Sequence, residues 1–201
     1  MLQNLNSPDG PEPATGLYSM GIHPWHIQPD HWENQLLFLQ ERSRRDTILA
    51  IGECGLDKAC ATPFALQKQV FSAQVEWAGF IGKPLVIHCV RAWEEVLSIL
   101  QTSGIQVPVI FHGFSKNATL AGRITRAGYY ISLGKSLLKP EMQSVLQSIP
   151  PDRFFLETDA EALTIQAVYN WAAIALSIDH NSLALQIQKN AEAVFGNKFH
   201  L

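Results

Sequence analysis

Between Leu17 and Leu156 the chain alternates short β-prone runs with longer stretches of helical period, and this alternation constrains the fold more than any other feature. Six runs read as strands: Leu17–Gly21, Thr47–Gly52, Pro84–Ile87, Val107–Phe111, Tyr129–Leu133 and Phe154–Leu156. Leu2–Leu5 is a weaker seventh, and 7–16 reads as a loop. Helices are expected at Trp32–Arg45, along the apolar stripe Leu66, Val70, Phe71, Trp77, Ala78 and Ile81, and at Ala92–Thr102, which stops at Gly104. Ser115 reads as the N-cap of a helix closing at Gly128, and Pro140 suits the first turn of the next. Ile165–Ile178 and Ser182–Phe195 complete the set. Such alternation implies βαβ units and a parallel sheet. The expected fold is α/β, a TIM-type (β/α) barrel of about seven strands, one short of the usual eight. An open doubly wound sheet also fits the alternation, but no glycine-rich phosphate loop follows the first strand.

The expected strands end on chemistry. Glu53, His88, His112 and Asp159 each close a different strand. In a barrel those ends converge on one face. Two imidazoles and two carboxylates make an N/O donor set for a divalent transition ion, which would supply the positive charge that Glu53, held between glycines, requires. Each residue taken singly has a plainer reading. A lone histidine is often a hydrogen-bonded structural residue, and Asp159 could cap a helix beginning near Ala160. Cys54 and Cys89 adjoin candidate ligands, but strand neighbours point to opposite faces, so both read as packing residues.

The 201 residues, 47% of them hydrophobic, suit a single domain spanning 1–201. A formal charge of −3 and the absence of any long Lys/Arg run argue against tight, non-specific nucleic-acid binding, while briefly held anionic substrates stay open. Three cysteines form no disulfide framework. The N-terminus lacks a signal-peptide pattern and no apolar run is long enough to span a bilayer, so the expectation is a soluble cytoplasmic protein.

Six motifs in fixed order carry a family resemblance: GIHPW (Gly21–Trp25), AIGECGLD (Ala50–Asp57), KPLVIHCVRAWEE (Lys83–Glu95), FHGFS (Phe111–Ser115), YYISLG (Tyr129–Gly134) and FLETDA, ending at Ala160. With the closing NAEAVFG (Asn190–Gly196), the chain resembles the TatD family of metal-dependent hydrolases, within the amidohydrolase-like barrels. The resemblance implies that Glu53, His88, His112 and Asp159 are metal ligands, with Glu53 bridging two ions and Asp159 helping to activate water. It implies that His23 faces the substrate or supports the ligands, and that Arg91 holds a phosphate, unless it pairs with Glu94 or Glu95. His26 is assigned no role beyond its loop.

The sequence departs from the family in two places. Relatives begin with a strand ending in His-x-His, which supplies two ligands; no His-x-His occurs here, and MLQNLN resembles the second strand of the family. A barrel without its first strand would present open edges: either the gene start is placed too far downstream, or the barrel is open, or a loop or a partner chain, such as a second copy, fills the gap. After TDA, Glu161 stands where relatives carry proline, and the substrate loop is nearly absent before Ile165. The expectation is a divalent-metal phosphodiesterase acting on DNA ends, a deoxyribonuclease with its activity in question. It would hold one ion tightly rather than two, zinc first, with manganese, nickel or magnesium as alternatives. The competing readings are a catalytically impaired binding module and a hydrolase of carboxylic esters such as misacylated tRNA.

Overall fold

The computed structural model describes residues 2–5, 16–159 and 163–196. Apart from Gly16, the loop read at 7–16 lies outside the described residues, as do Met1 and Asn6 of MLQNLN. The chain divides into two compact units, residues 1–109 and 110–201.

The first unit holds strands β1 (Leu2–Leu5), β2 (Leu17–Met20), β3 (Ile48–Asp57) and β4 (Leu85–Val90), and helices α1 (Trp32–Arg42), α2 (Phe64–Ile81) and α3 (Trp93–Ser103). The four strands pair in chain order and all pairs are parallel. The weak Leu2–Leu5 run is therefore a strand, registered residue for residue on β2. Ile51, Leu56, Leu85 and Ile87 of the sheet are buried in the core, as are Val70 and Phe71 of α2. Gly82 and Gly104 end α2 and α3 in the left-handed conformation that glycine adopts freely.

Two glutamines on α2 tie the sheet to the helix. Gln74, fully buried, accepts from the Ile22 N–H at 2.7 Å and donates to the Ile22 carbonyl at 3.1 Å. Seven residues earlier on the same helix face, Gln67 accepts from the Asp57 N–H at 2.8 Å and donates to the Asp57 carbonyl at 3.0 Å. These side chains replace the ladder hydrogen bonds that the backbone loses just past β2 and at the end of β3.

The second unit holds β5 (Val109–Phe111, from Ile110), β6 (Tyr130–Leu133) and β7 (Phe154–Leu156), again parallel and in chain order. Its helices are α4 (Ala118–Arg126), α5 (Pro140–Gln147), α6 (Ile165–Leu176) and α7 (His180–Phe195). Asn117, not Ser115, caps α4, accepting from the Leu120 N–H at 3.0 Å. Within the NAEAVFG motif, buried Asn190 donates to the carbonyls of Pro151 and Phe154 at 2.9 and 2.8 Å, fastening α7 to β7.

Seven parallel strands with intervening helices make the α/β, TIM-type architecture expected from the alternation. Among the described residues no helix is long and apolar enough to cross a membrane.

Candidate metal centre

Glu53 does not end its strand. β3 runs five residues further than the sequence reading placed it, through Glu53 to Asp57. The register explains why. Ile51 faces Leu85 and Cys54 faces Ile87, so β3 carries one extra residue at Gly52–Glu53. A bulge of this kind re-aims a side chain while the ladder resumes beyond it. Both neighbouring glycines are required by the closeness of β4. A Cβ on Gly52, at φ +154°, would stand 2.5 Å from the Val86 carbonyl oxygen, and one on Gly55, at φ +143°, 2.0 Å from that of His88. Glu53 is the only position from Ile48 to Asp57 that is not buried. Its N–H donates to Asn4 Oδ1 at 3.1 Å, which anchors the bulge to β1.

His23 and His88 meet this carboxylate. Nε2 of His23 lies 3.9 Å from Glu53 Oε2, and the rings of His23 and His88 are 4.4 Å apart. Donor atoms of His23, Glu53 and His88 all fall within 4.8 Å of one another. Two donors on one tetrahedral zinc, each at about 2.1 Å, are separated by roughly 3.4 Å, so the three stand somewhat wider apart than a bound zinc would hold them. His23 thus stands beside Glu53 and His88, and its Nδ1 accepts from the Trp25 N–H at 3.2 Å.

Asp57 is the residue that sequence reading missed. It is 2% exposed, and its Oδ2 accepts from the Trp25 indole at 2.6 Å and faces His88 Nε2 at 3.3 Å. Oδ1 accepts from the Ala59 N–H at 2.7 Å. Burial pushes this carboxyl up, but hydrogen bonds from Trp25, Ala59 and His88, and the nearby His88 charge, outweigh it and hold Asp57 below the usual aspartate range. A buried carboxylate on the far nitrogen of an imidazole is the arrangement that orients metal-binding histidines. Arg91 follows β4 in the left-handed region at φ 54°, exposed and without an ion pair among the described residues. Glu95 pairs with Lys58 instead.

In the second unit His112 directly follows β5, as expected, and its Nδ1 lies 3.9 Å from Glu157 Oε1. That oxygen also accepts from the Gly113 N–H at 2.7 Å. Burial pushes the Glu157 carboxyl up. The His112 charge and hydrogen bonds from Ser132 and Gly113 pull against it, while Asp159 pushes the same way as burial. Asp159 sits exposed at φ 44°, a conformation aspartate tolerates better than most residues. The helix expected near Ala160 falls on residues 160–162, outside the described residues; α6 itself is capped by Thr164. Glu157, inside the FLETDA motif, plays toward His112 the part Asp57 plays toward His88, and it too was missed. Cys54 is fully buried, as packing requires, and its thiol is pushed far up, by burial first and by the Glu53 charge second.

The profile of the family described as TatD related DNase matches residues 11–196. The chain belongs to the TatD-related DNase family. "Uncharacterized metal-dependent hydrolase YabD" of Bacillus subtilis is 35% identical over 153 residues, which cover 73% of this chain and 59% of that protein. "3'-5' ssDNA/RNA exonuclease TatD" of Edwardsiella piscicida is 32% identical, with 71% of this chain and 57% of that protein covered. The TatD-family chain thus spans just under three-fifths of the length of these two curated relatives. Among solved structures, YJJV, a TatD homologue from Escherichia coli K12, superposes with a TM-score of 0.80 at 23% identity, covering 89% of this chain and 76% of that one. This likeness establishes the TatD fold.

Proposed function

We propose that this chain supplies the site of a divalent-metal-dependent phosphodiester hydrolase of the nuclease type. In the first unit Glu53 and His88 are the metal ligands, with His23 beside them, and in the second unit the ligating residues are His112 and Asp159. The observation that carries the reading is the gathering of His23, Glu53 and His88 at donor separations a single cation can close, in a chain of the TatD family. Two imidazoles with carboxylates suit zinc first, with manganese, nickel and magnesium as alternatives. Bound there, such an ion supplies Lewis acidity at a phosphoryl oxygen and makes a water more acidic.

The remaining work falls to the chain's own side chains. Asp57 and Glu157 orient His88 and His112. Asp159, exposed on its turn, takes the proton of the attacking water. Arg91, with no ion pair among the described residues, presents its planar fork to a phosphate. The exonuclease named among the relatives makes single-stranded nucleic acid the substrate class to test first. Three free thiols suit a reducing cytoplasm.

The test is hydrolysis of single-stranded DNA with zinc, manganese or magnesium added, using His112→Ala and Asp159→Ala as controls. Cleavage lost in both variants is the expected result. No cleavage with any metal, by a folded protein, leaves the binding-module reading. Activity on an aminoacyl ester alone moves the reaction to carboxylic esters.

A further inference from the structure

Trp25 combines two properties that rarely coincide. It is 60% exposed, yet its position is fixed from several sides. Its indole N–H donates to buried Asp57, and its ring meets those of His23 and His88 edge-on, with centroids 5.0 and 5.9 Å away. The turn that carries it, Pro24–His26, is pinned as well. Thr62 donates to the Pro24 carbonyl at 2.7 Å, and Gln35 of α1 donates to that of His26 at 2.9 Å. A single exposed aromatic usually needs no explanation. This one has its polar edge bound at the candidate centre, so what it offers to solvent is apolar ring surface beside His23 and His88.

From this geometry we infer that Trp25 is a stacking platform for a nucleobase of single-stranded nucleic acid held at the site. The inference rests on the nuclease reading and deepens it. A planar, electron-rich ring, already immobilised, binds the face of any base without reading its edge. Its immobilisation means that little side-chain entropy is lost on stacking. The ring is anchored through the same carboxylate that faces His88, so a stacked base would fix the neighbouring phosphodiester relative to the metal ligands.

The experiment uses the full chain with magnesium and a short fluorescein-labelled, phosphorothioate-linked oligothymidylate that resists hydrolysis. A matched strand carries abasic residues. Fluorescence anisotropy gives the two affinities. The wild type should bind the base-bearing strand on the order of ten-fold more tightly than the abasic one. Trp25→Ala should erase that preference by weakening the base-bearing strand alone. Trp25→Phe, which keeps a ring but gives up the Asp57 bond, should retain most of it and guards against misfolding of the alanine variant. The inference is overturned if the wild type shows no preference or no binding, if Trp25→Ala weakens both strands equally, or if a folded Trp25→Phe loses the preference. Metal content and cleavage of natural DNA, measured on the same preparations, separate the two ideas. Base preference without metal or cleavage sinks the hydrolase alone, and metal with cleavage but no preference sinks the platform alone.

Discussion

Oδ2 of Asp57 receives the Trp25 indole N–H at 2.6 Å and stands 3.3 Å from Nε2 of His88. One buried carboxylate therefore sets both an exposed aromatic and a candidate ligand. Asp57→Asn keeps the volume but removes the charge that favours a correctly oriented His88. Zinc affinity, titrated calorimetrically on metal-stripped protein, should fall about 10- to 100-fold with the fold intact. An unchanged affinity would make Asp57 purely structural.

Gln74 is buried without exposure, and it satisfies both backbone groups of Ile22, the residue before His23. Gln74→Leu leaves a buried N–H and a buried carbonyl without partners. The expected cost is about 1–3 kcal/mol, read as a lower urea midpoint at unchanged slope. A variant as stable as the wild type would mean that the β2 exit does not depend on α2.

Arg91 is free to meet a phosphate because Lys58 occupies Glu95. Arg91→Ala should raise KM for a single-stranded DNA substrate by roughly ten-fold and leave kcat within about two-fold, as expected for loss of uniform binding. A fall in kcat at constant KM would place Arg91 in the chemistry instead.

Asp179 caps α7, accepting from the N–H groups of Asn181 and Ser182 and from the Ser182 hydroxyl at 2.6 Å. The Ser182 hydroxyl first, then these amides, hold its carboxyl below the usual aspartate range. A depressed folded-state value means that the stabilisation is complete above the unfolded value, near 3.9, and is lost as pH falls through the folded one. Asp179→Ala should lower Tm by a few degrees at pH 7. The gap between variant and wild type should close in strong acid. A gap independent of pH would mean the cap does not act through its charge.

The order of strands and helices was legible because hydrophobic period changes cleanly at each junction, and even the four-residue Leu2–Leu5 run proved to be a strand. The extent of β3 was not. Glycine normally punctuates a strand, whereas here Gly52 and Gly55 admit the close approach of β4 and let the strand pass through Glu53. Asp57 and Glu157 escaped notice because a carboxylate beside a motif gives no sign of which histidine it faces; only their place within GECGLD and ETD hinted at it. Gln67 and Gln74 share the face of α2 with Val70, Phe71 and Ala78, and polar residues seven apart on an apolar stripe were the available signal. Asp159 read as a ligand that could also cap a helix near Ala160, while α6 begins at Ile165 with Thr164 as its cap.

The central claim is that His23, Glu53 and His88 of the first unit close on one cation. The most direct measurement is metal content per chain by mass spectrometry after purification without chelator and equilibration with zinc, for the wild type, Glu53→Gln and His88→Ala. One tightly held ion in the wild type, lost in both variants, is the predicted result. A wild type that takes up no ion, or variants that both keep it, would contradict the account.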